Sequence, residues 1–501
     1  MNSSNSAKLH HTKTQLNHII NIKKISQILG ILLWVESSLF LLCMCVSLYY
    51  HESSYKAFLY TFGINIVVGG LLMLYGKGAH NRVNRRDGYC IVTLTWILSS
   101  LSGMLPFMLS GEIPTAANAF FETMSGFTTT GATILNDIES LSHGMLFWRS
   151  LIQWIGGLGM VCFTIAILPI FGGSNQQLFS AEATGVTHDK IHPKISVMTK
   201  WIWTIYAILT ITLIILLLIG GMDLFDAVCH AFCTTATGGY STKQASVAHW
   251  NSPFIEYVIS IFMILSCINF SLYFACMKGN FKRLLRDSEV KWFIGSITVI
   301  TFFITIGLIY QRGYDFELAF RRALFQVTSI HTSCGFATDD YNLWPTYTWM
   351  LLLFAMLSGG CTGSTGGGIK NMRILILYYN IVNEFKRLIH PNAVLPIRIN
   401  RHVLPQATIN AVVTFTIVYM LCAFVGWIAL MLMGINFMEA LSLIISSLGN
   451  VGPGLGIYGP AFSWDNMPDL AKWMLSFFML IGRLELFSVL VLFSPAFWKE
   501  W

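Results

Sequence analysis

Four short stretches of this chain share one spacing, an alanine followed twelve residues later by a glycine. The pairs are Ala119 and Gly131, Ala227 and Gly239, Ala323 and Gly335, and Ala440 and Gly452. Each stretch opens with a helix-like half and closes in small polar residues: AFFETMSGFTTTG, AVCHAFCTTATGG, ALFQVTSIHTSCG and ALSLIISSLGNVG. Each is set between two long apolar runs, and the unit recurs roughly every hundred residues, which marks a fourfold internal repeat. In a bilayer, irregular backbone is tolerated only where protein buries it or where it lines a watery cavity. Four such segments about one axis present a ring of backbone carbonyls, the device by which a selective pore replaces an ion's hydration shell.

Composition places the chain in a membrane. Hydrophobic residues make up 54% and charged residues 11%, too few charges to cover a soluble chain of 501 residues. Many apolar runs reach about eighteen residues, the length that crosses a bilayer as a helix. The net charge of +7 is not a nucleic-acid footprint, because the basic residues are dispersed among loops. They lie at 77–86, 188–194, 278–291 and 385–402, and the positive-inside bias puts all four loops in the cytoplasm. The segment 1–27, with Lys8, Lys13, Lys23 and Lys24, lies on the same side and lacks the apolar core of a cleaved signal peptide.

The expected fold is an all-α integral membrane protein. Two N-terminal transmembrane helices occupy 28–76, with spans at 28–50 and 55–76. Four pseudo-repeats of helix, re-entrant pore loop and helix then surround one ion path, at 89–171, 199–277, 291–379 and 405–495. Their inner helices are expected at 144–171, 252–277, 347–379 and 470–494. About ten crossings result, and both termini are cytoplasmic. No loop is long enough for a soluble domain. The eleven cysteines show no CxxC and no His/Cys cluster at zinc spacing, so neither a structural metal nor a disulfide framework is expected. Cys43, Cys45, Cys162 and Cys422 lie in apolar helices, where a thiol acts as a small hydrophobe.

The candidate ion-binding residues close the four repeats: Thr129, Thr130 and Gly131; Ala236, Thr237 and Gly238 or Gly239; Ser333, Cys334 and Gly335; Asn450, Val451 and Gly452. One such cluster alone would read as an ordinary turn. Four copies at matched positions do not. Carbonyls converge on one axis only with unusual dihedrals, which glycine adopts without steric cost. In the second repeat the alanine spacing and a following aromatic favour Gly239, whereas the flanking threonines favour Gly238.

A second feature is SGGCTGSTGGGIK at 358–370, inside the third inner helix. It lacks the Gly-Lys-Ser/Thr ending and the preceding strand of a phosphate-binding loop. Gly359, Gly360, Gly363, Gly366, Gly367 and Gly368 crowd ten residues, too many to hold a helix. Just inside the pore loops, such a break is either a kink or a movable plug, with Lys370 and Arg373 at its cytoplasmic edge. Arg483 and Glu485 lie deep in the last span, where charges face a bundle interior. They pair with each other or with neighbours, or Arg483 sets a positive charge beneath the pore. Arg149 stands near a span end, where its side chain can snorkel.

TTTGAT, FWRSLIQWIGGLG (147–159), TATGGYST, SCGFATDD, GGCTGSTGGGIK and NVGPGLG stand in the order found in the TrkH-type subunits of the Trk/Ktr/HKT potassium transporter superfamily. The chain resembles that family from about residue 28 to residue 495. The resemblance implies potassium uptake across the bacterial inner membrane, K+ as the transported ion with no covalently bound cofactor, and a homodimer. It also implies a TrkA-like cytoplasmic regulatory protein that binds nucleotides. Related plant transporters with serine in the first repeat are more sodium-permissive, so Gly131 favours potassium. A sodium-coupled or sodium-permeable relative is the alternative, and proton symport, sodium coupling and uncoupled flux all stay open. A membrane-embedded enzyme needs a nucleophile beside a base, and His143, His230 and His331 have no acid at a suitable spacing.

Overall fold

Each of the four repeated stretches begins a short helix behind a residue in extended or near-extended conformation: Thr115, Asp223, Asp315 and Asn436. The Asp223 side chain accepts the Phe225 N–H at 3.2 Å, as a helix cap does. The helices are Ala116–Phe127, Leu224–Thr235, Phe316–His331 and Phe437–Gly449. At 12 to 16 residues they run about 18–24 Å, short of a hydrocarbon core about 30 Å thick. Ala119, Ala227, Ala323 and Ala440 are completely buried, so the recurring alanine lies on the packed face of each half-span helix.

The computed structural model describes residues 20–79, 83–159, 195–400 and 402–499, the stretch 195–198 by its backbone alone. The lysines at 8 and 13, the end of the first inner helix at 160–171 with Cys162, the basic loop at 188–194 and Glu500 lie outside the described residues.

The N-terminal extension is a helix pair, Ile22–Tyr49 against Tyr55–Tyr75. The pair crosses at two glycines. A Cβ on Gly30 would lie 2.6 Å from the Gly69 carbonyl oxygen, and Trp34 Nε1 donates to the Ile66 carbonyl at 3.1 Å beside them. The outer helices of the repeats are Arg85–Gly103, continued by Leu105–Ser110, then Ile195–Ile219, Ser288–Arg312 and Gln406–Leu432. Among the described residues, six helices are long and apolar enough to cross a bilayer: the two of the extension and these four.

The inner helices depart from the straight spans expected at 252–277 and 470–494. In the second repeat Pro253–Ser266 and Phe270–Met277 meet at 94°, and in the fourth Asp469–Arg483 and Phe487–Phe493 meet at 111°. In the first, the described helix His143–Gly157 ends at the same stage of its repeat. In the third, Thr346–Ser358 and Asn371–Ile389 flank the expected interruption at 359–370. Hydropathy conceals the other two breaks because the few polar residues there, Asn269 in the second and Arg483 and Glu485 in the fourth, are set among long apolar runs. The breaks persist because other groups satisfy the freed backbone. The Asn269 side chain accepts the Ser271 N–H at 2.8 Å and starts a new helix. The Cys267 carbonyl accepts the Cys361 N–H at 3.0 Å, and Gly363 accepts the Phe270 N–H at 3.1 Å. At the fourth break Glu485 and Leu486 both take left-handed dihedrals, at φ 54°. A two-stranded hairpin, Arg398–Ile399 with His402–Val403, joins the third and fourth repeats.

Candidate functional site

Immediately after each half-span helix the backbone makes the same turn four times. Thr129, Thr237, Ser333 and Asn450 are left-handed, at φ 55°, 54°, 55° and 53°. Two residues on, Gly131, Gly239, Gly335 and Gly452 are left-handed as well, at 81°, 74°, 92° and 104°. Gly239 therefore stands in register with the other three glycines. Gly238 takes the middle place shared by Thr130, Cys334 and Val451, and Ala236 is the helix C-cap. A left-handed residue other than glycine costs about 1–2 kcal/mol. The end of each helix holds the turn by equivalent bonds. The middle N–H donates to the carbonyl of Ser125, Cys233, Ser329 or Ser446, at 2.8, 2.8, 2.8 and 2.9 Å.

The four turns close on one another. A Cβ on Gly131 would lie 2.0 Å from the carbonyl oxygen of Gly238, and one on Gly239 would lie 2.0 Å from that of Cys334. One on Gly335 would lie 2.3 Å from that of Val451, and one on Gly452 would lie 2.6 Å from that of Thr130. Each glycine thus rests on the middle carbonyl of the next repeat, and the fourth returns to the first. All four glycines also line one cavity.

Side chains brace this ring from behind. Ser125 and Ser329 donate to the Ala132 and Phe336 carbonyls, both at 2.6 Å. Gln153, on the first inner helix, donates to the Gly238 carbonyl at 2.7 Å and accepts the Tyr240 N–H at 3.1 Å. Asn450 donates to Thr130 Oγ1 at 3.0 Å and to the Met479 carbonyl at 2.9 Å. Sequence reading missed Gln153, although a glutamine between Ile152 and Trp154 in an apolar helix was a signal. Arg149 does not snorkel. It is 1% exposed and bonds Glu122 at 2.9 Å, the Ser241 carbonyl at 3.2 Å and Thr133 Oγ1 at 3.3 Å. Its guanidinium also lies 4.1 Å from the centre of the Tyr240 ring. One buried ion pair therefore joins the first repeat to the turn of the second. One histidine does meet an acid, contrary to expectation: His143 Nδ1 lies 2.8 Å from Glu52 Oε1, a residue of the N-terminal extension far away in sequence; the other two bond carbonyl and hydroxyl groups. His230 bonds the Asp226 carbonyl and Ser241, at 2.8 and 2.9 Å, and His331 bonds Ser296 at 2.9 Å.

The glycine-rich segment lies against the ring. Gly367 N–H donates to Ser333 Oγ at 2.6 Å, and Thr365 Oγ1 donates to the Thr235 carbonyl at 3.2 Å. A Cβ on Gly367 would lie 2.1 Å from the Gly449 carbonyl oxygen, so the loop abuts the fourth repeat as well. Arg483 completes the set. Its guanidinium donates to the Thr365 carbonyl at 2.8 Å and to those of Gly156 and Gly157 at 2.6 and 2.8 Å. The two carbonyls lie at the end of the first inner helix, so one cation ties broken helices of three repeats together. Lys370 and Arg373, expected at the cytoplasmic edge of the loop, are both buried. Lys370 Nζ donates to the Gly366 carbonyl within the loop, and Arg373 pairs with Glu485 and lies over Phe415. Gly359 and Gly368 are left-handed and in contact, where a Cβ on Gly359 would lie 2.8 Å from the Gly368 Cα. Gly360 and Gly366 pack on the Cys267 thiol, and Gly363 packs on Asn269.

Four half-span helices, each ending in the same left-handed turn and closed into a ring between membrane-long helices, define a multi-pass membrane protein of the pore-loop class. The chain belongs to the TrkH family of cation transport proteins, whose profile matches residues 54–500. It is 40% identical over 486 residues to the Trk system potassium uptake protein TrkH of Salmonella typhimurium, covering 96% of this chain and 100% of that protein. It is 34% identical over 484 residues to the Trk system potassium uptake protein TrkG of Escherichia coli, covering 96% and 99%. The crystal structure of the potassium transporter TrkH from Vibrio parahaemolyticus superimposes with a TM-score of 0.86 at 35% identity, covering 95% of this chain and 99% of that one. These relatives are transporters and not enzymes.

Proposed function

We propose that this protein carries potassium inward across a bacterial inner membrane, with the four-turn ring as its selectivity filter. Backbone oxygens of Thr129–Gly131, Thr237–Gly239, Ser333–Gly335 and Asn450–Gly452 replace the water shell of K+. Ala236 belongs to the helix end that supports the second turn. The observation that carries this reading is the closure of the ring, each filter glycine seated on a carbonyl of the next repeat. The four helices end at the ring, so the negative ends of their dipoles favour a cation there.

The loop Gly359–Gly368 is the gate, held by Lys370 from within and by Arg483 from the fourth repeat. Its contacts with the second, third and fourth turns support this role, because an ion leaving the filter meets the loop first. The Arg483 guanidinium keeps its charge at any working pH, so it also repels a cation while it bonds the Thr365 carbonyl. A homodimer is the working form, and a TrkA-like nucleotide-binding protein on the cytoplasmic side opens the gate. Both termini are cytoplasmic.

The test is growth of a bacterium lacking potassium uptake, on limiting potassium, with this chain expressed alone and with its regulatory partner. Potassium-dependent rescue that requires the partner is the expected result. Rescue by sodium alone, or equal uptake of both ions by purified protein in liposomes, would favour the sodium-permeable alternative.

A further inference from the structure

Glu289, a carboxylate outside the inner helices, holds the interrupting loop at both ends. It lies in the first turn of the third outer helix and is 2% exposed. Its Oε1 accepts the Thr362 N–H at 2.6 Å, the Thr362 hydroxyl at 3.0 Å and the Met372 N–H at 3.0 Å. Thr362 belongs to the first half of the loop, and Met372 to the first turn of the helix that follows it. One acceptor oxygen shared by three donors ties the loop and the start of the following helix to a single side chain.

The start of the third outer helix is bonded to the hairpin between the third and fourth repeats. Asp287 Oδ1 accepts the Glu289 and Val290 N–H groups, both at 3.0 Å. Asp287 Oδ2 accepts from Asn400 Nδ2 at 2.8 Å, and Asn400 Oδ1 accepts the Ser288 N–H at 2.8 Å. Asn400 is exposed at the turn of the hairpin, in a left-handed conformation at φ 50°. An unbroken bonded path therefore runs from the exposed hairpin turn, through Asp287 and Ser288, to Glu289 and both ends of the loop.

We infer that Glu289 is the positioning residue that latches the loop against the filter, and that the hairpin turn at Asn400 is the handle that releases it; this rests on reading the loop as the gate. Moving the hairpin shifts the start of the outer helix, which withdraws one carboxylate from both loop ends at once. A two-ended latch suits a gate, because a single displacement frees the whole segment. It also gives an exposed surface a route to a buried one without contact to the ion path.

The experiment compares Glu289→Ala, Glu289→Gln, Asn400→Ala and a variant with the loop shortened between Gly359 and Gly368. Each is reconstituted in liposomes without any partner protein. Two readouts are taken: rubidium influx, and the rate at which a permeant maleimide labels Cys361, a thiol buried in the loop. Glu289→Ala is expected to raise basal influx about tenfold, the factor that ~1.4 kcal/mol of lost latch gives, and to speed Cys361 labelling. Asn400→Ala should move both readouts in the same direction by less. Glu289→Gln, which keeps an acceptor oxygen, should fall between the parent and Glu289→Ala. If loop shortening raises influx while folded Glu289→Ala and Asn400→Ala leave both readouts at the parent level, the latch is wrong and the gate stands. If loop shortening also leaves influx unchanged, the gate reading falls and takes the latch with it. Should Glu289→Ala fail to fold, Asn400→Ala and Glu289→Gln decide by the same two readouts.

Discussion

The side-chain amide of Gln153 stands in for a strand, donating to the Gly238 carbonyl at 2.7 Å and accepting the Tyr240 N–H at 3.1 Å. It reaches the second turn from the first repeat's inner helix. The second turn is also the one whose middle residue is a glycine, with no side chain of its own to wedge it in place. The brace and the glycine belong together. A Cβ on Gly238 would lie 2.5 Å from the Gln153 side chain.

Gln153→Leu removes both bonds while keeping an apolar side chain of similar length. An unmade buried hydrogen bond costs about 1–3 kcal/mol, so the turn should loosen without unfolding the bundle. The expected outcome is a protein of parental thermal stability within a few degrees whose preference for rubidium over sodium falls severalfold. Competition between the two ions in liposome uptake measures it. Full selectivity in Gln153→Leu would make the brace dispensable.

Serine at the ring glycines is a graded test of the filter. At Gly131, Gly239, Gly335 and Gly452 the new Cβ meets a backbone oxygen at 2.0–2.6 Å, and the dihedral is left-handed as well. At Gly238 it meets only a glutamine side chain, which can yield. Gly131→Ser, Gly335→Ser and Gly452→Ser should each admit more sodium. Gly239→Ser should disturb selectivity more than Gly238→Ser. The reverse order within the second repeat would put the register of that turn in error.

Arg149 and Glu122 are both fully buried and bonded at 2.9 Å. Removing one partner strands the other charge, at a cost of about 3–5 kcal/mol. Arg149→Met should therefore lower the melting temperature sharply or prevent recovery of folded protein. Glu122→Gln combined with Arg149→Met should recover part of the loss, because no charge is then left unpaired. Thermal denaturation in detergent, read for both single variants and the double variant, gives the coupling between the two residues.

Arg483→Ala deletes the bonds to Thr365, Gly156 and Gly157 and the charge beside the ring. Influx without the partner should rise. Arg373 already pairs with Glu485, so the loss of Arg483 should not leave that carboxylate unpaired. Arg483→Lys keeps the charge but cannot span three carbonyls with one planar fork. It should give intermediate influx. Equal influx in Arg483→Lys and the parent would assign the effect to charge alone.

Much of this protein is legible along the chain because it is written in local and periodic signals. The fourfold spacing of Ala119/Gly131, Ala227/Gly239, Ala323/Gly335 and Ala440/Gly452 repeats one local conformation, and a left-handed turn after a helix needs glycine wherever it occurs. The membrane-long outer helices follow from hydropathy, which is a property of each segment alone. The interruption at 359–370 shows because its glycines are adjacent. Tertiary structure decided the rest. The breaks at Cys267–Asn269 and Leu484–Leu486 carry no glycine cluster to announce them, and the first exists because a loop about a hundred residues further on supplies the missing hydrogen bonds. Gly238 and Gly239 are both glycines, so composition leaves their register open, and the closed ring sets it. Arg149, Lys370 and Arg373 read as edge residues because a charge is cheapest near water. Their burial depends on Glu122, on Glu485 and on carbonyls freed at breaks in the chain, partners that only the packed bundle brings within reach.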